Sequence, residues 1–309
     1  MASVTLTING VKVTVPKGTT VLDAAQQAGI FIPTFCHDPE LTKYGACRIC
    51  VVEITGMRNL PASCATDATD GMEVYTESPA IIEARKTILE LLLANHPLDC
   101  LTCDKNGACR LQDYCFRYGV KETGFEGAKK DHPIDDSNPY ILRDANKCIL
   151  CGRCVRTCAQ IEDRSVIDFA YRGFNTKVAT AMDLPLADSD CVYCARCVAV
   201  CPVGALMIKP LMGLGRTWEI EKKPVTCTFC ESGCTFNLNV KDGKVIGITP
   251  LEPGKGRPLC LKGRLALEFK YCDDPPTAPM LKKDGEFVPV PWAEALGIKD
   301  IINKIIDLK

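Results

Sequence analysis

The chain has 309 residues, 21 cysteines and a near-balanced charge of 37 basic against 38 acidic side chains. That balance excludes the electrostatic footprint of a nucleic-acid binder, and the longest apolar run, "ILELLLA" at 88–94, is far shorter than a membrane span. The opening "MASVTLTING" has neither the basic nor the apolar region of a secretory leader, so the expected compartment is a reducing cytoplasm, where thiols this dense serve as metal ligands.

Residues 1–78 open with "VTLTINGVKVTV". Val4, Leu6 and Ile8 alternate on one strand and Val11, Val13 and Val15 on the next, with Asn9-Gly10 as a two-residue turn. "TVLDAAQQAGI" reads as a helix capped by Thr19 or Thr20 and ended by Gly29. Cys36, Cys47, Cys50 and Cys64 follow with spacing C-x10-C-x2-C-x13-C. Hairpin, helix and cysteine loop form the pattern of a β-grasp ferredoxin, and four thiolates suit one [2Fe–2S] cluster. A zinc site built on Cys47 and Cys50 is the competing reading.

Residues 79–137 begin with an amphipathic helix, "SPAIIEARKTILELLLANHPLDC", with Ile81, Ile82, Ile88, Leu89 and Leu92 on or near one face. It should pack between the β-grasp segment and the loop that follows. That loop reads His-x3-Cys-x2-Cys-x5-Cys and offers His96, Cys100, Cys103 and Cys109 to a [4Fe–4S] cluster. Cys115, in "LQDYCFRYGV", is the alternative fourth ligand. It sits on a helix expected to run away from the loop, so His96 is preferred. Sixteen cysteines fill the four all-cysteine sets, three join His96, and Cys115 and Cys272 are left over.

Residues 138–215 hold a near-repeat, "CILCGRCVRTC" and "CVYCARCVAVCP". Twice C-x2-C-x2-C-x3-C is the signature of a two-cluster ferredoxin, in which the fourth cysteine of each motif reaches the other cube. Cys148, Cys151, Cys154 and Cys201 should therefore share one [4Fe–4S] cluster, and Cys158, Cys191, Cys194 and Cys197 the other. The connection between the motifs is long, and "VIDFAYRGFNTKVAT" should add strands. Residues 216–275 carry Cys227, Cys230, Cys234 and Cys260 around a hairpin turning at Asp242-Gly243, a frame for a fourth [4Fe–4S] cluster or a zinc ribbon. Residues 276–309 form a tail ending in "WAEALGIKDIINKIIDLK", a helix interrupted at Gly297 whose Ile298, Ile301, Ile302, Ile305 and Ile306 suit docking on a partner subunit. The expected fold is α+β, a string of small domains each nucleated by its cluster.

"PTFCHDPELTKYGACRICVVEI", "HPLDCLTCDKNGACRLQDY" and the twin motif resemble the iron–sulfur portion shared by the complex I large iron–sulfur subunit, [FeFe]-hydrogenases and NAD(P)-linked formate dehydrogenase alpha subunits. In that family the matching histidine is a cluster ligand. "CTFCESGC" with "PLCLKGR" resembles the first [4Fe–4S] domain of bis-pterin molybdenum or tungsten enzymes, and "DPPTAPMLKKDGEFVPVPWAEAL" their approach to the catalytic domain. The formate dehydrogenase alpha subunit is thus the resemblance that covers most of the chain. Those enzymes continue for several hundred residues that supply the pterin pockets. No such stretch, no hydrogenase domain and no nucleotide-binding glycine motif is expected within residues 1–309.

The resemblance implies an electron-relay subunit in a hetero-oligomer with flavoprotein NAD(P)H-oxidising subunits, with ferredoxin as a further possible partner and electron bifurcation as one use. A split formate dehydrogenase, with its pterin domain on a separate chain, is the second reading, and Lys262 in "CLKG" matches the lysine lying between cluster and pterin. A zinc-binding interaction module is the third. One [2Fe–2S] and four [4Fe–4S] clusters predict about 18 irons per chain. Anaerobic metal analysis checks this: fewer than about 12 irons, with stoichiometric zinc, contradicts the cluster assignment.

Overall fold

Asn9 and Gly10 take φ values of 49° and 83°, the left-handed conformation that a two-residue turn needs. They join β1 (Ser3–Ile8) to β2 (Val11–Pro16) as the alternation predicts. The computed structural model describes residues 2–227, 231, 233–251 and 278–298, and the chain divides into two units, 1–264 and 265–309. Thr20 is the cap of α1 (Val21–Gln27), its hydroxyl accepting from the Asp23 amide at 3.1 Å. Two short strands, β3 (Glu53–Ile54) and β4 (Glu73–Tyr75), complete a sheet ordered β2-β1-β4-β3, with β4 parallel to β1. Leu6, Ile8, Val15, Val21, Leu22 and Val74 bury a first core against Cys50 and Cys64.

The next helix, α2 (Pro79–Asn95), starts at Ser78, whose hydroxyl accepts from the Ile81 amide. Its buried face is Ile81, Arg85, Leu89 and Leu93, a strict i, i+4 row. Leu92, expected on that face, is only partly buried. Arg85 is the residue that periodicity could not place: it is wholly buried, and donates to the Ile49 carbonyl at 3.2 Å, the Val51 carbonyl at 3.0 Å and the Tyr118 hydroxyl at 2.9 Å. A charge that deep needs such partners. Here they bind α2 to the cysteine loop on one side and to α3 (Arg110–Tyr118) on the other.

The twin motif builds α4 (Arg153–Gln160) and α5 (Arg196–Val200). Its ends are closed by β5 (Ile141–Arg143) pairing with β8 (Leu206–Ile208), and the long connection supplies the expected strands, β6 (Ile167–Ala170) and β7 (Lys177–Thr180). A second core runs without a break from Phe35, Cys36 and Ile49 through Leu89 and Leu111 to Cys151, Cys154, Val155 and Cys201. This core joins Phe35, Cys36 and Ile49 directly to α2, α3 and the twin motif, while Cys50 to Val74 belong to the first core. Each buried aliphatic side chain there contributes about 1.5–3 kcal/mol.

Downstream, β9 (Glu221–Thr226), β10 (Thr235–Lys241) and β11 (Lys244–Pro250) form a sheet ordered β11-β10-β9, turning at Asp242-Gly243 as expected. Strand β9 was not legible as a partner. The second unit contains β12 (Met280–Lys283), β13 (Glu286–Pro289) and a short helix, α6 (Trp292–Ala295). The isoleucine stripe from Ile301 onward lies outside the described residues. No helix among the described residues is long and apolar enough to cross a membrane.

The two motif halves differ at one informative position. Gly152 and Ala195 occupy equivalent places, at φ 71° and 57°. A Cβ at Gly152 would stand 3.1 Å from a ring carbon of Tyr44 and 3.2 Å from one of Phe169. The second half carries alanine at this place, itself buried in the second core, whereas in the first half Tyr44 of the cysteine loop and Phe169 close on the glycine. Gly152→Ala should destabilise the protein by about 1–3 kcal/mol, from crowding added to left-handed backbone cost. Chemical denaturation of the loaded protein checks this, and an unchanged midpoint would mean that Tyr44 yields freely.

Candidate metal centres

The loop after α1 brings Cys36, Cys47, Cys50 and Cys64 together. The Cys36 amide donates to the Cys47 sulfur at 3.5 Å, and the Cys50 and Cys64 sulfurs are 3.4 Å apart. Contacts from the Cys47 and Cys64 thiols hold Cys36 well below the ordinary thiol range, and the Cys64 thiol pulls Cys50 down to about 6. The same contacts push Cys47 and Cys64 up. The four thiols lie close enough to perturb one another, two toward the thiolate and two toward the thiol. Arg48 and Gly45, at φ 59° and 68°, bend the loop around it.

His96 ends α2 as its C-cap. Its Nδ1 lies 2.8 Å from the Pro97 carbonyl, so a proton there donates to that oxygen. Nε2 is then an acceptor, and it is buried with no protein partner. Burial lowers the His96 pKa, keeping the ring neutral. A neutral imidazole with its far nitrogen anchored and its near nitrogen free is the form that binds metal. Cys109 is the N-cap of α3. The Cys103 sulfur lies where a Cβ on Gly204 would stand, 2.8 Å away, so this loop and the twin-motif segment touch directly. The Arg110 amide donates to the Pro202 carbonyl at 3.0 Å, and Arg216 donates to the Cys103 carbonyl at 3.0 Å and the Leu101 carbonyl at 2.6 Å.

Helix α3 does not carry Cys115 away as expected. Leu111, Tyr114, Cys115 and Tyr118 form its inward face, and the Cys115 thiol feels both Cys109 and Cys100. Cys115 lies six residues beyond Cys109, under two turns along α3, which keeps its thiol near the loop. Burial first, then those two thiols, raise Cys115 to about 11.

The twin motif frames two neighbouring cavities. One is lined by Cys148, Cys151, Cys154 and Cys201, the other by Cys158, Cys191 and Cys194; Cys197 lies on both. Cys201 thus lies with the first motif's leading cysteines and Cys158 with the second's. The local geometry repeats: the Leu150 amide donates to the Cys148 sulfur and the Tyr193 amide to the Cys191 sulfur, both at 3.4 Å. Leu150 and Tyr193 themselves sit at φ 53° and 56°, which turns those amides inward. Burial raises Cys148 to about 11, Cys151 to about 12, and Cys154 and Cys197 further.

In the fifth set, the Cys227 amide donates to the Cys234 carbonyl at 2.7 Å, where β9 meets β10. Cys230, Cys260, Lys262 and Cys272 lie outside the described residues. Among the described residues no three His, Cys, Asp or Glu side chains converge as a single ion requires. The donor chemistry, soft thiolates with one imidazole, and the paired cavities fit iron–sulfur clusters.

One connection escaped the cysteine pattern. On α4, Arg153 pairs with Asp38 at 2.5 Å, Arg156 donates to the Cys36 and Thr42 carbonyls, and Gln160 donates to the Thr42 hydroxyl at 2.9 Å. The only sequence hint was two arginines on a helix otherwise busy with ligands.

Four family models match the chain: a 2Fe-2S iron-sulfur cluster binding domain over residues 1–79, the NADH-ubiquinone oxidoreductase-G iron-sulfur binding region over 85–123, a 4Fe-4S dicluster domain over 147–205 and the molybdopterin oxidoreductase Fe4S4 domain over 220–271. A G-type subunit of NADH-quinone oxidoreductase from Rhizobium meliloti is 40% identical over 294 residues, covering 94% of this chain and 34% of that protein. NADP-reducing hydrogenase subunit HndD of Solidesulfovibrio fructosivorans is 45% identical over 212 residues, 67% of this chain and 36% of that one. NADPH-Fe(3+) oxidoreductase subunit alpha of Geobacter sulfurreducens is 38% identical over 281 residues, 90% and 33%. The chain thus spans about a third of the length of the curated relatives it matches. A solved structure of NAD+-reducing [NiFe]-hydrogenase in the H2-reduced state aligns with TM-score 0.64 and 35% identity over 69% of this chain and 91% of that one.

Two outcomes follow from this geometry. His96→Ala should lose about four irons, whereas Cys115→Ser should keep its full iron content; the reverse pattern, by metal analysis, would exchange their roles. Thiols raised by burial are protonated at neutral pH, so cluster insertion must release those protons. Reconstitution of the apo-chain with iron and sulfide should therefore be more complete at about pH 8.5 than at about pH 6.5, read by visible absorption.

Proposed function

We propose that this chain, which belongs to the iron–sulfur family represented by the G-type subunits of NADH-quinone oxidoreductase, is an electron relay in an NAD(P)H-linked complex. One [2Fe–2S] domain and several [4Fe–4S] domains make up that region. In our reading the clusters number five. Cys36, Cys47, Cys50 and Cys64 hold the [2Fe–2S] cluster in a β-grasp domain, and His96, Cys100, Cys103 and Cys109 hold the first cube. Cys148, Cys151, Cys154 and Cys201 hold the second, Cys158, Cys191, Cys194 and Cys197 the third, and Cys227, Cys230, Cys234 and Cys260 the fourth. Such clusters supply one-electron carriers whose potentials the protein sets through ligand type, burial and hydrogen bonds.

The observation that carries the reading is the unbroken core from Phe35 to Leu206, which packs three cysteine sets and the His96 loop into one body. Electron transfer needs proximity and fixed geometry, and a shared core supplies both. The chain's own groups do the rest: the Leu150 and Tyr193 amides donate to ligand sulfurs, and Nε2 of His96 stays free of competing partners. The partners we expect are a flavoprotein that takes a hydride from NAD(P)H and splits it into single electrons, and a downstream acceptor such as ferredoxin. The reducing cytoplasm is the compartment that suits so many thiols.

The match over residues 220–271 also suits a formate dehydrogenase with a separate pterin-bearing chain. The activities for which the relatives are named, NADH-quinone, NADP-reducing and NADPH-Fe(3+), favour the relay.

The test is an anaerobic redox titration followed by electron paramagnetic resonance. The chain alone should be reduced by dithionite and remain oxidised with NADH, NADPH or formate. Adding its flavoprotein partner should let pyridine nucleotide reduce it. Rapid reduction of the flavin-free chain by any of the three substrates would refute the relay.

A further inference from the structure

Arg156 is a buried cation, 8% exposed, on the middle of α4. The other buried arginines among the described residues have carboxylates: Arg153 has Asp38, Arg196 has Glu162 and Arg85 reaches Glu77. The partners of Arg156 are neutral. One terminal nitrogen donates to the Thr42 carbonyl at 2.8 Å and the other to the carbonyl of Cys36, while the guanidinium lies 4.6 Å from the centre of the Tyr44 ring. Its Nε is buried with no partner at all. Burying a full charge against carbonyls and a ring leaves it uncompensated, which is costly unless an opposite charge lies nearby.

All three partners belong to one loop, residues 36–47, which begins and ends on thiols of the first cysteine set. We infer that Arg156 is the built-in counter-charge of the [2Fe–2S] site, reaching it from the neighbouring domain and biasing electrons toward it. This rests on the ligand assignment for that site given above. Each electron adds one negative charge to the thiolate site. A fixed cation beside it, in a core that excludes water, favours the reduced form and raises the midpoint potential. Because α4 also carries Cys154 and Cys158, the same residue sets the driving force for exchange between that site and the cubes. Arg156 is thus a positioning and potential-setting residue that touches no reacting atom.

The experiment uses the loaded full chain and follows the [2Fe–2S] signal, which differs from the cube signals in its relaxation, through an anaerobic potentiometric titration. Arg156→Gln, with full iron content, should shift the reduction equilibrium of that signal at least tenfold toward the oxidised form, about 59 mV for a one-electron couple. Arg156→Lys keeps the charge but reaches one carbonyl instead of two, and should shift it about threefold in the same direction. The Lys variant also keeps the test decisive if the Gln variant fails to load. An unchanged [2Fe–2S] midpoint in every variant that loads overturns the inference, since a purely structural arginine would alter stability and leave the potential alone. Absence of any [2Fe–2S] signal in the unmodified chain would instead overturn the ligand assignment.

Discussion

The arrangement depends on the packing of α4 against the loop that follows α1. Eight residues long, this helix presents Cys154 and Cys158 to two different cavities while Arg153, Arg156 and Gln160 grip Asp38, Cys36 and Thr42. A helix that served one site could tolerate small shifts. One that serves three cannot, because a rotation that improves one set of contacts spoils the others. The ring of Tyr44, pressed on Gly152 and under Arg156, occupies the remaining space at this junction.

Charge makes the packing intelligible. Arg85, Arg153, Arg156 and Arg196 are all buried, an unusual number of deep cations for a chain whose formal charge is close to zero. Ligated thiolates are absent from that formal count. Arg85, Arg153 and Arg196 reach the carboxylates of Glu77, Asp38 and Glu162, whereas Arg156 meets only carbonyls and a ring. The buried thiols make the complementary point: without metal, burial holds Cys148, Cys151 and Cys154 in the neutral form. Ligation requires those thiols to lose their protons, so metal binding at such buried thiols is coupled to proton release and to folding.

Much of this was legible in the sequence, and the boundary has a physical cause. Cysteine spacing, the Asn9-Gly10 turn, the Thr20 cap and the Asp242-Gly243 turn are local, and all were found where read. The two cavities of the twin motif group its cysteines much as its signature suggested, with Cys197 on both. What escaped reading was long-range: Arg156 meets Cys36 across 120 positions, and Arg85 meets Ile49 across 36. Periodicity treats an arginine as a solvated residue and assigns it no inward face. The inward turn of Cys115 escaped for the same reason, because a helix's direction is fixed by what it packs against.

The crossed cavities bear on biosynthesis. One is lined by residues from 143 to 206 and the other by residues from 141 to 197, with Cys197 shared. Neither wall set is complete until both halves of the repeat exist. A nascent chain on the ribosome can display the first four-cysteine motif long before the second emerges, with its thiols exposed and no enclosure to fill. Neither cavity can close before Cys197 has been made, and the first needs the chain through Leu206 as well, so enclosure of these thiols depends on the second half of the repeat.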